Sequence, residues 1–248
     1  MQTKTFKLQF SKVDAHEKTV GVVIVAAGSS SRMGGTNKIT APLMGKPVIS
    51  HTLSAFEQNS IVGDIVVVTK EDMLLSLQKI VDQGGFFKVT DVIKGGNCRE
   101  ESVRLGFERL IKNKKIETVL IHDGARPLVS KEVIDRVITA VEEFSAVVPA
   151  VPVKDTIKKT GALGRVEYTV DRENLVNIQT PQGFKAECFK EALSKAGDNL
   201  EQFTDDASIV ESAGMSVYTV VGDYKNIKIT TPEDMILAEA YLKALMEE

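Results

Sequence analysis

Two periods of apolar residues run along the chain. Val20 to Val25 is an unbroken run of β-branched residues and Gly21, the pattern of a strand buried on both faces. Asp64 opens a second such run, Ile65-Val66-Val67-Val68-Thr69, and residues 87–93, 119–121 and 146–149 read as further strands. Between them the period lengthens. Ile49, Leu53 and Phe56 share one face of a helix predicted over 48–58, and Leu74, Leu77 and Ile80 one over about 72–81, which Gly84-Gly85 ends. Helices are also expected over about 99–111 and 131–144. This alternation predicts an α/β fold: a Rossmann-like, mostly parallel sheet flanked by helices on both faces, joined by right-handed crossovers.

The texture changes after Pro152. Residues 156–177 alternate, carry many charges and are broken by Gly161 and Gly164, with a hairpin turn at 160–165. A hairpin of this length needs a partner to bury it. On these residues alone the stretch is a protruding β-arm, about 155–178, and a possible dimer contact. The remainder reads as helical with one strand pair, 216–221 and 226–229. Thr204-Asp205-Asp206 is a helix cap followed by acids, and Gly214 ends that helix. Thr231-Pro232-Glu233-Asp234 is a second start, with Leu237, Tyr241 and Leu245 on the buried face. Lys228 lies between Ile227 and Ile229 and so points away from them. It is either an outer-face lysine or a cation in a cleft.

Composition narrows the class. A chain of 248 residues, 43% hydrophobic and 26% charged, can form a large globular core. Residues 1–19 are polar and read as an N-terminal extension to one domain over 20–248. A net charge of −3 gives no bulk attraction to nucleic acid or membrane, so anionic ligands need local cations. No apolar run reaches the length of a membrane span. Cys98 and Cys188 are too few for a disulfide framework, which favours a reducing, cytoplasmic setting.

The candidate chemistry lies at the ends of the strands. After Val25 come Ala26-Ala27-Gly28 and a polar loop with Arg32 and Lys38. Small residues let backbone amides approach an anion, so the loop is a polyphosphate cradle or an ordinary connection with solvated charges. It matches neither the P-loop nor the dinucleotide fingerprint. Lys94-Gly95-Gly96-Asn97 is a second glycine turn, either an αL helix start or a ligand loop. Ligands of open α/β sheets bind beyond the C-terminal strand ends, so the two loops are expected to share a crevice. His122-Asp123-Gly124-Ala125-Arg126-Pro127 follows another strand. Asp123 there suits Mg²⁺, and Arg126 adds a planar cation. His122 is a general base or, as such residues more often are, a hydrogen-bonded structural one.

Ala26-Ala27-Gly28, Arg32-Met33, Lys38 and Gly45-Lys46-Pro47-Val48-Ile49 resemble the sugar-phosphate nucleotidyltransferases. H-D-G-A-R-P resembles the cytidylyltransferases among them. Together with V-P-V-K-D-T, V-D-R-E-N-L, Q-T-P-Q-G-F, F-T-D-D-A-S and N-I-K-I-T-T-P-E-D, the likeness is to the 2-C-methyl-D-erythritol 4-phosphate cytidylyltransferase family, from Val20 to the last helix. Asn37, Asn97 and Gly124 stand where that family commonly has Pro, Asp and Ala.

The resemblance implies transfer of CMP from CTP to a sugar-alcohol phosphate, 2-C-methyl-D-erythritol 4-phosphate, in isoprenoid precursor synthesis. Arg32, Lys38 and Lys228 are implied as catalytic. Ala26, Ala27, Gly28 and Ser29, with Gly96, Asn97, Ser102, Asp123 and Gly124, are implied to bind the nucleotide. Asp123, Arg126, Thr156, Arg172 and Thr180 are implied on the acceptor side, with Mg²⁺ on Asp123 and a homodimer formed through the arm. Three other readings compete. A ribitol 5-phosphate cytidylyltransferase is the nearest, to be decided by the arm. A dinucleotide-dependent oxidoreductase would lack its glycine fingerprint. A non-catalytic nucleotide-binding regulator is disfavoured by three cations and Asp123 at motif positions.

Overall fold

The structure is a computed structural model that describes residues 20–28, 37–113 and 115–247. The first half winds as β1 (Val20–Val25), a two-residue ladder of β2 (Pro42–Leu43) and β3 (Lys46–Pro47), α1 (Val48–Glu57), β4 (Val62–Thr69), α2 (Leu74–Gly84), β5 (Val89–Lys94), α3 (Arg99–Leu110), β6 (Thr118–Asp123) and α4 (Lys131–Phe144). The second half runs β7 (Ala146–Pro152), β8 (Lys158–Thr160), β9 (Val166–Thr169), β10 (Val176–Ile178), β11 (Gln182–Lys185), α5 (Ala186–Ala196), α6 (Asp206–Ser212), β12 (Tyr218–Val221) and α7 (Pro232–Glu247).

β5, β4, β1 and β6 lie side by side and parallel. β1 is central and buried along its whole length. Its alternate side chains feed two cores. Val20, Val22 and Ile24 pack with Leu53, Phe56, Leu77 and Val137 on one face. Val23 and Val25 pack with Val103, Phe107 and Phe189 on the other. Each such side chain contributes roughly 1.5–3 kcal/mol by leaving water, which is why an unbroken apolar run here forms a covered strand. α3 lies close on this sheet because Gly106 has no side chain: a Cβ there would sit 2.5 Å from Val23 Cγ1.

Helix ends match their residues. Gly85, at φ 65°, closes α2. Asp205, one residue after the expected cap Thr204, caps α6 through a capping box with Ser208. Asp234 Oδ2 accepts from the Thr230 and Thr231 amides, at 2.7 and 2.8 Å, at the start of α7.

Several expectations need correction. The strand expected at 87–93 runs from Val89 to Lys94. Phe86 and Phe87 belong to the turn that follows the αL residue Gly85, with Phe87 92% exposed. Residues 226–229 form no strand, and β12 pairs instead with β7 in parallel. The 226–229 segment is held by side chains and by a hydrogen bond from the Ile229 amide to the Ala125 carbonyl, at 2.8 Å. The Q-T-P-Q-G-F stretch supplies β11, which enters antiparallel between β6 and β7. β8 and β9 form the expected hairpin as a separate two-stranded ladder, with every side chain exposed. The arm is shorter than the expected 155–178, because Val176–Ile178 forms β10 and pairs antiparallel with β7 at the edge of the main sheet. Among the described residues no helix is long and apolar enough to cross a membrane.

Candidate active site

The C-terminal ends of the parallel strands open into one cleft of about 390 Å³. At its first wall the Ala26 amide donates to the Val68 carbonyl at 2.7 Å, and the chain then leaves the sheet at Ala27 and Gly28, which line the cleft. Ser29 and Arg32 lie outside the described residues. The chain returns at Asn37. Its side-chain oxygen accepts from the Ile39 amide at 3.0 Å, and its carbonyl accepts from the amides of Thr40 and Ala41. This Asx-type turn buries Ile39 and turns Lys38 into the cleft. Asn thus closes a turn at the position where Pro is common in the resembling family.

The glycine turn after β5 forms the opposite wall. Ser102 Oγ accepts from the Gly96 amide at 3.1 Å and donates to the Cys98 carbonyl at 2.9 Å. Glu101 Oε2 accepts from the Asn97 amide at 2.7 Å. Neither Gly95 nor Gly96 has an αL backbone; Gly95 approaches Ser102 closely, and Gly96 approaches the Glu101 side chain. A Cβ on Gly95 would meet Ser102 Oγ at 2.5 Å, and one on Gly96 would meet Glu101 Cγ at 2.3 Å.

Asp123 ends β6 on the cleft floor. Lys228 Nζ lies 2.9 Å and Arg126 Nε 3.4 Å from its Oδ2, and Arg99 Nε lies 3.4 Å from its Oδ1. Burial alone would raise this carboxyl's pKa. Arg99, Lys228 and Arg126 outweigh it and hold the group well below the usual carboxylate range. Asp123 is therefore ionised at neutral pH.

Arg99 opens α3 and reaches across to α6. Its Nη1 and Nη2 donate to the two oxygens of the buried Asp206 at 3.0 and 2.8 Å. Burial would lower the Arg99 pKa, but Asp206 and Asp123 hold it above the ordinary arginine value. Lys228 is aimed by its neighbours. Ile227 and Ile229 pack with Leu43, Val48, Leu128 and Ala238, which leaves Lys228 on the cleft side, the second of the two placements open to it. Arg126 Nη1 donates to the Asn226 carbonyl at 2.7 Å, and Asn226 Nδ2 donates to the Thr180 carbonyl at 2.8 Å.

His122 is fully buried and both its ring nitrogens are hydrogen-bonded within the frame. Thr180 Oγ1 accepts from the Asp123 amide at 3.1 Å, so its hydroxyl proton is available to His122 Nδ1 at 3.0 Å. Nε2–H then donates to the Arg126 carbonyl at 3.1 Å. Burial pushes the His122 pKa down to about 4, so the ring stays neutral at physiological pH.

Of the expected site residues, the structure brings Ala27, Gly28, Lys38, Gly96, Asn97, Ser102, Asp123 and Lys228 to one cleft. Others lie elsewhere. Gly124 is buried beneath the floor, its amide given to the Val25 carbonyl and its carbonyl accepting from Thr52 Oγ1, both at 2.9 Å. Its backbone is thus already spoken for, and Ala26 is buried in the same frame. Arg126 and Thr180 act from below, on Asp123 and His122. Thr156 and Arg172 stand exposed on the arm, where the Arg172 guanidinium donates to the Lys154 carbonyl. Sequence reasoning missed Lys70 and Arg99 in the cleft and Asp206 behind it. A signal existed for Asp206: F-T-D-D-A-S carries two acids, and Asp205 alone makes the cap.

A mostly parallel α/β sheet whose strand ends bring three lysines, an ionised aspartate and a glycine turn to one cleft is built to bind a nucleotide's phosphates. Residues 20–244 match the profile of IspD, 2-C-methyl-D-erythritol 4-phosphate cytidylyltransferase, and the chain belongs to that family. A relative of that description from Dehalococcoides mccartyi is 45% identical over 90% of this chain and 96% of its own length. One from Geotalea uraniireducens is 43% identical over 92% and 99%. Among solved structures, 4-diphosphocytidyl-2C-methyl-D-erythritol synthase from Anaerococcus prevotii superposes with a TM-score of 0.77 at 32% identity, covering 91% of this chain and 99% of that one. The Thermus thermophilus cytidylyltransferase superposes at 0.73 and 30% identity, covering 90% and 98%. The chain is accordingly a cytidylyltransferase of the non-mevalonate isoprenoid route, with CTP and 2-C-methyl-D-erythritol 4-phosphate as the family's substrates and 4-diphosphocytidyl-2-C-methyl-D-erythritol as its product. That assignment favours methylerythritol phosphate over ribitol 5-phosphate.

Proposed function

We propose that the acceptor's phosphate attacks the α-phosphorus of CTP in line within this cleft, and that pyrophosphate leaves. A phosphate monoester is already anionic near neutral pH, so no protein nucleophile is needed. The protein's work is positioning and charge stabilisation. Amides from Ala27 to Ser29 take the triphosphate, and the turn of Gly96, Asn97 and Ser102 takes the edge of the base. Lys38, Lys228 and Arg32 surround the α-phosphate and stabilise the added negative charge. The observation that carries this reading is the presence of Lys38, Lys228, Asp123 and the glycine turn on one cleft.

Asp123 is also the proposed protein ligand of Mg²⁺. Among the described residues no three His, Cys, Asp or Glu side chains converge. A single ionised carboxylate fits Mg²⁺, which is usually bound by one or two carboxylates together with substrate phosphates and water. Bound there, Mg²⁺ would neutralise charge on the triphosphate.

Thr156 and Arg172 serve the acceptor's phosphate in a second subunit's cleft, with the arms of two chains packed about a two-fold axis. The support is the arm's wholly exposed ladder. A cytoplasmic setting is supported by two free cysteines. The decisive assay supplies CTP with methylerythritol phosphate or with ribitol 5-phosphate and reads pyrophosphate release. Faster turnover with ribitol 5-phosphate would overturn the acceptor assignment.

A further inference from the structure

Asp123 has three cationic neighbours, and they are held differently. Arg99 is gripped by both oxygens of the buried Asp206, and Arg126 gives Nη1 to the Asn226 carbonyl. Lys228 meets the carboxylate at 2.9 Å and is the most exposed of the three, at 38% of its side chain against 24% for Arg99 and 12% for Arg126. Its backbone is fixed by Ile227 and Ile229, but its ammonium rides on a flexible four-carbon stem.

We propose that Arg99, anchored by Asp206, is the permanent counter-charge of Asp123 that lets Lys228 leave the carboxylate for the reacting phosphate. The inference rests on the reading of Lys228 given above. A buried carboxylate with fewer fixed cations holds its lysine more tightly, because an ion pair gains strength where water is scarce. With Arg99 and Arg126 fixed beside it, Asp123 stays compensated when Lys228 turns away, whether or not Mg²⁺ has arrived with the nucleotide. Arginine suits the task. Its fork satisfies both oxygens of Asp206 while Nε still faces Asp123, which one ammonium cannot reproduce. The second acid of F-T-D-D-A-S, idle as a cap, thereby gains a purpose. Arg99 and Asp206 are positioning residues that act through Lys228.

The test is a cycle of variants. Arg99→Lys keeps the charge but loses the fork. Arg99→Gln with Asp206→Asn removes both charges together, so no unpaired ion is left buried and the fold survives. Each is made in the native chain and in a Lys228→Ala background, and kcat, KM for CTP and the thermal midpoint are measured. In the native chain kcat should fall about tenfold or more with KM for CTP changed by about twofold or less, as expected for coupled neighbours. In the Lys228→Ala background the further loss should shrink to about twofold or less. Unchanged kcat in either variant overturns the proposal. So does an equal fold-loss in both backgrounds, which would mean that Arg99 acts on substrate or on the fold rather than through Lys228. Near-normal turnover of Lys228→Ala alone would remove the underlying reading of Lys228 and this inference with it. A normal loss there, with unchanged Arg99 variants, would remove this inference alone.

Discussion

In the cleft, Asp123 and Arg99 stand on a strand end or helix start with a packed core beneath. On the arm, side chains stand on a hairpin with none. β6 is buried throughout, whereas β8 and β9 are exposed throughout. The ion pairs differ in the same way. Asp123 has three cations within 3.4 Å in a largely dry setting. Lys159 and Glu167 pair at 3.0 Å across the arm in open solvent, where such a contact contributes about 0–1 kcal/mol. At the arm's tip, Leu163 takes a positive φ of 58° and is fully exposed, an uncommon conformation for a residue with a Cβ. One chain therefore suffices to order the cleft floor. The arm's ladder has no such cover from the described residues of its own chain, and in the proposed dimer a two-fold mate would supply it.

The largest effects should come from the cleft's own cations. Lys38→Ala and Lys228→Ala should each lower turnover roughly 10²–10³-fold, while calorimetry finds CTP binding far less affected. Near-normal turnover in either variant would take that lysine out of the mechanism.

A mixing experiment sharpens the contrast between regions. Arg172→Ala and Lys38→Ala chains should each form nearly inactive dimers. After full subunit exchange, about a quarter of native activity should return, because half of the dimers then carry one intact site of two. No recovery despite exchange would put the arm residues in their own chain's cleft.

Asp123→Asn should raise the Mg²⁺ concentration needed for half-maximal activity about tenfold or more. Full activity in excess chelator would end the metal assignment.

A pH series separates buried frame from exposed arm through stability rather than turnover. His122 has a folded pKa of about 4 against an ordinary 6.5. Between those values the unfolded chain binds more protons, so stability is complete above pH 6.5 and is lost as pH falls toward 4. The loss from this one group is about 3 kcal/mol. Urea unfolding from pH 7 to 4 should show a shallower decline in His122→Gln than in the native chain. Identical slopes would mean that the ring is not buried neutral.

The amino-acid sequence by itself determined the order of strands and helices from β1 to β7, because strand and helix periods are local properties of a few neighbouring residues. It determined the start of the last helix at Thr231-Pro232 and that Lys228 points away from Ile227 and Ile229, but it placed the α6 cap one residue early, at Thr204, and left open whether Lys228 faces the cleft. The tertiary structure alone decided that β11 enters antiparallel between β6 and β7, that 226–229 is held by side chains rather than by a ladder, and that His122 is a neutral brace. It alone joined Arg99 to Asp206, 107 residues away, and set Thr180 under the floor. These outcomes depend on which surfaces meet after the sheet has formed. A buried charge finds its partner across the fold, since burial without one costs more than any local preference can offset.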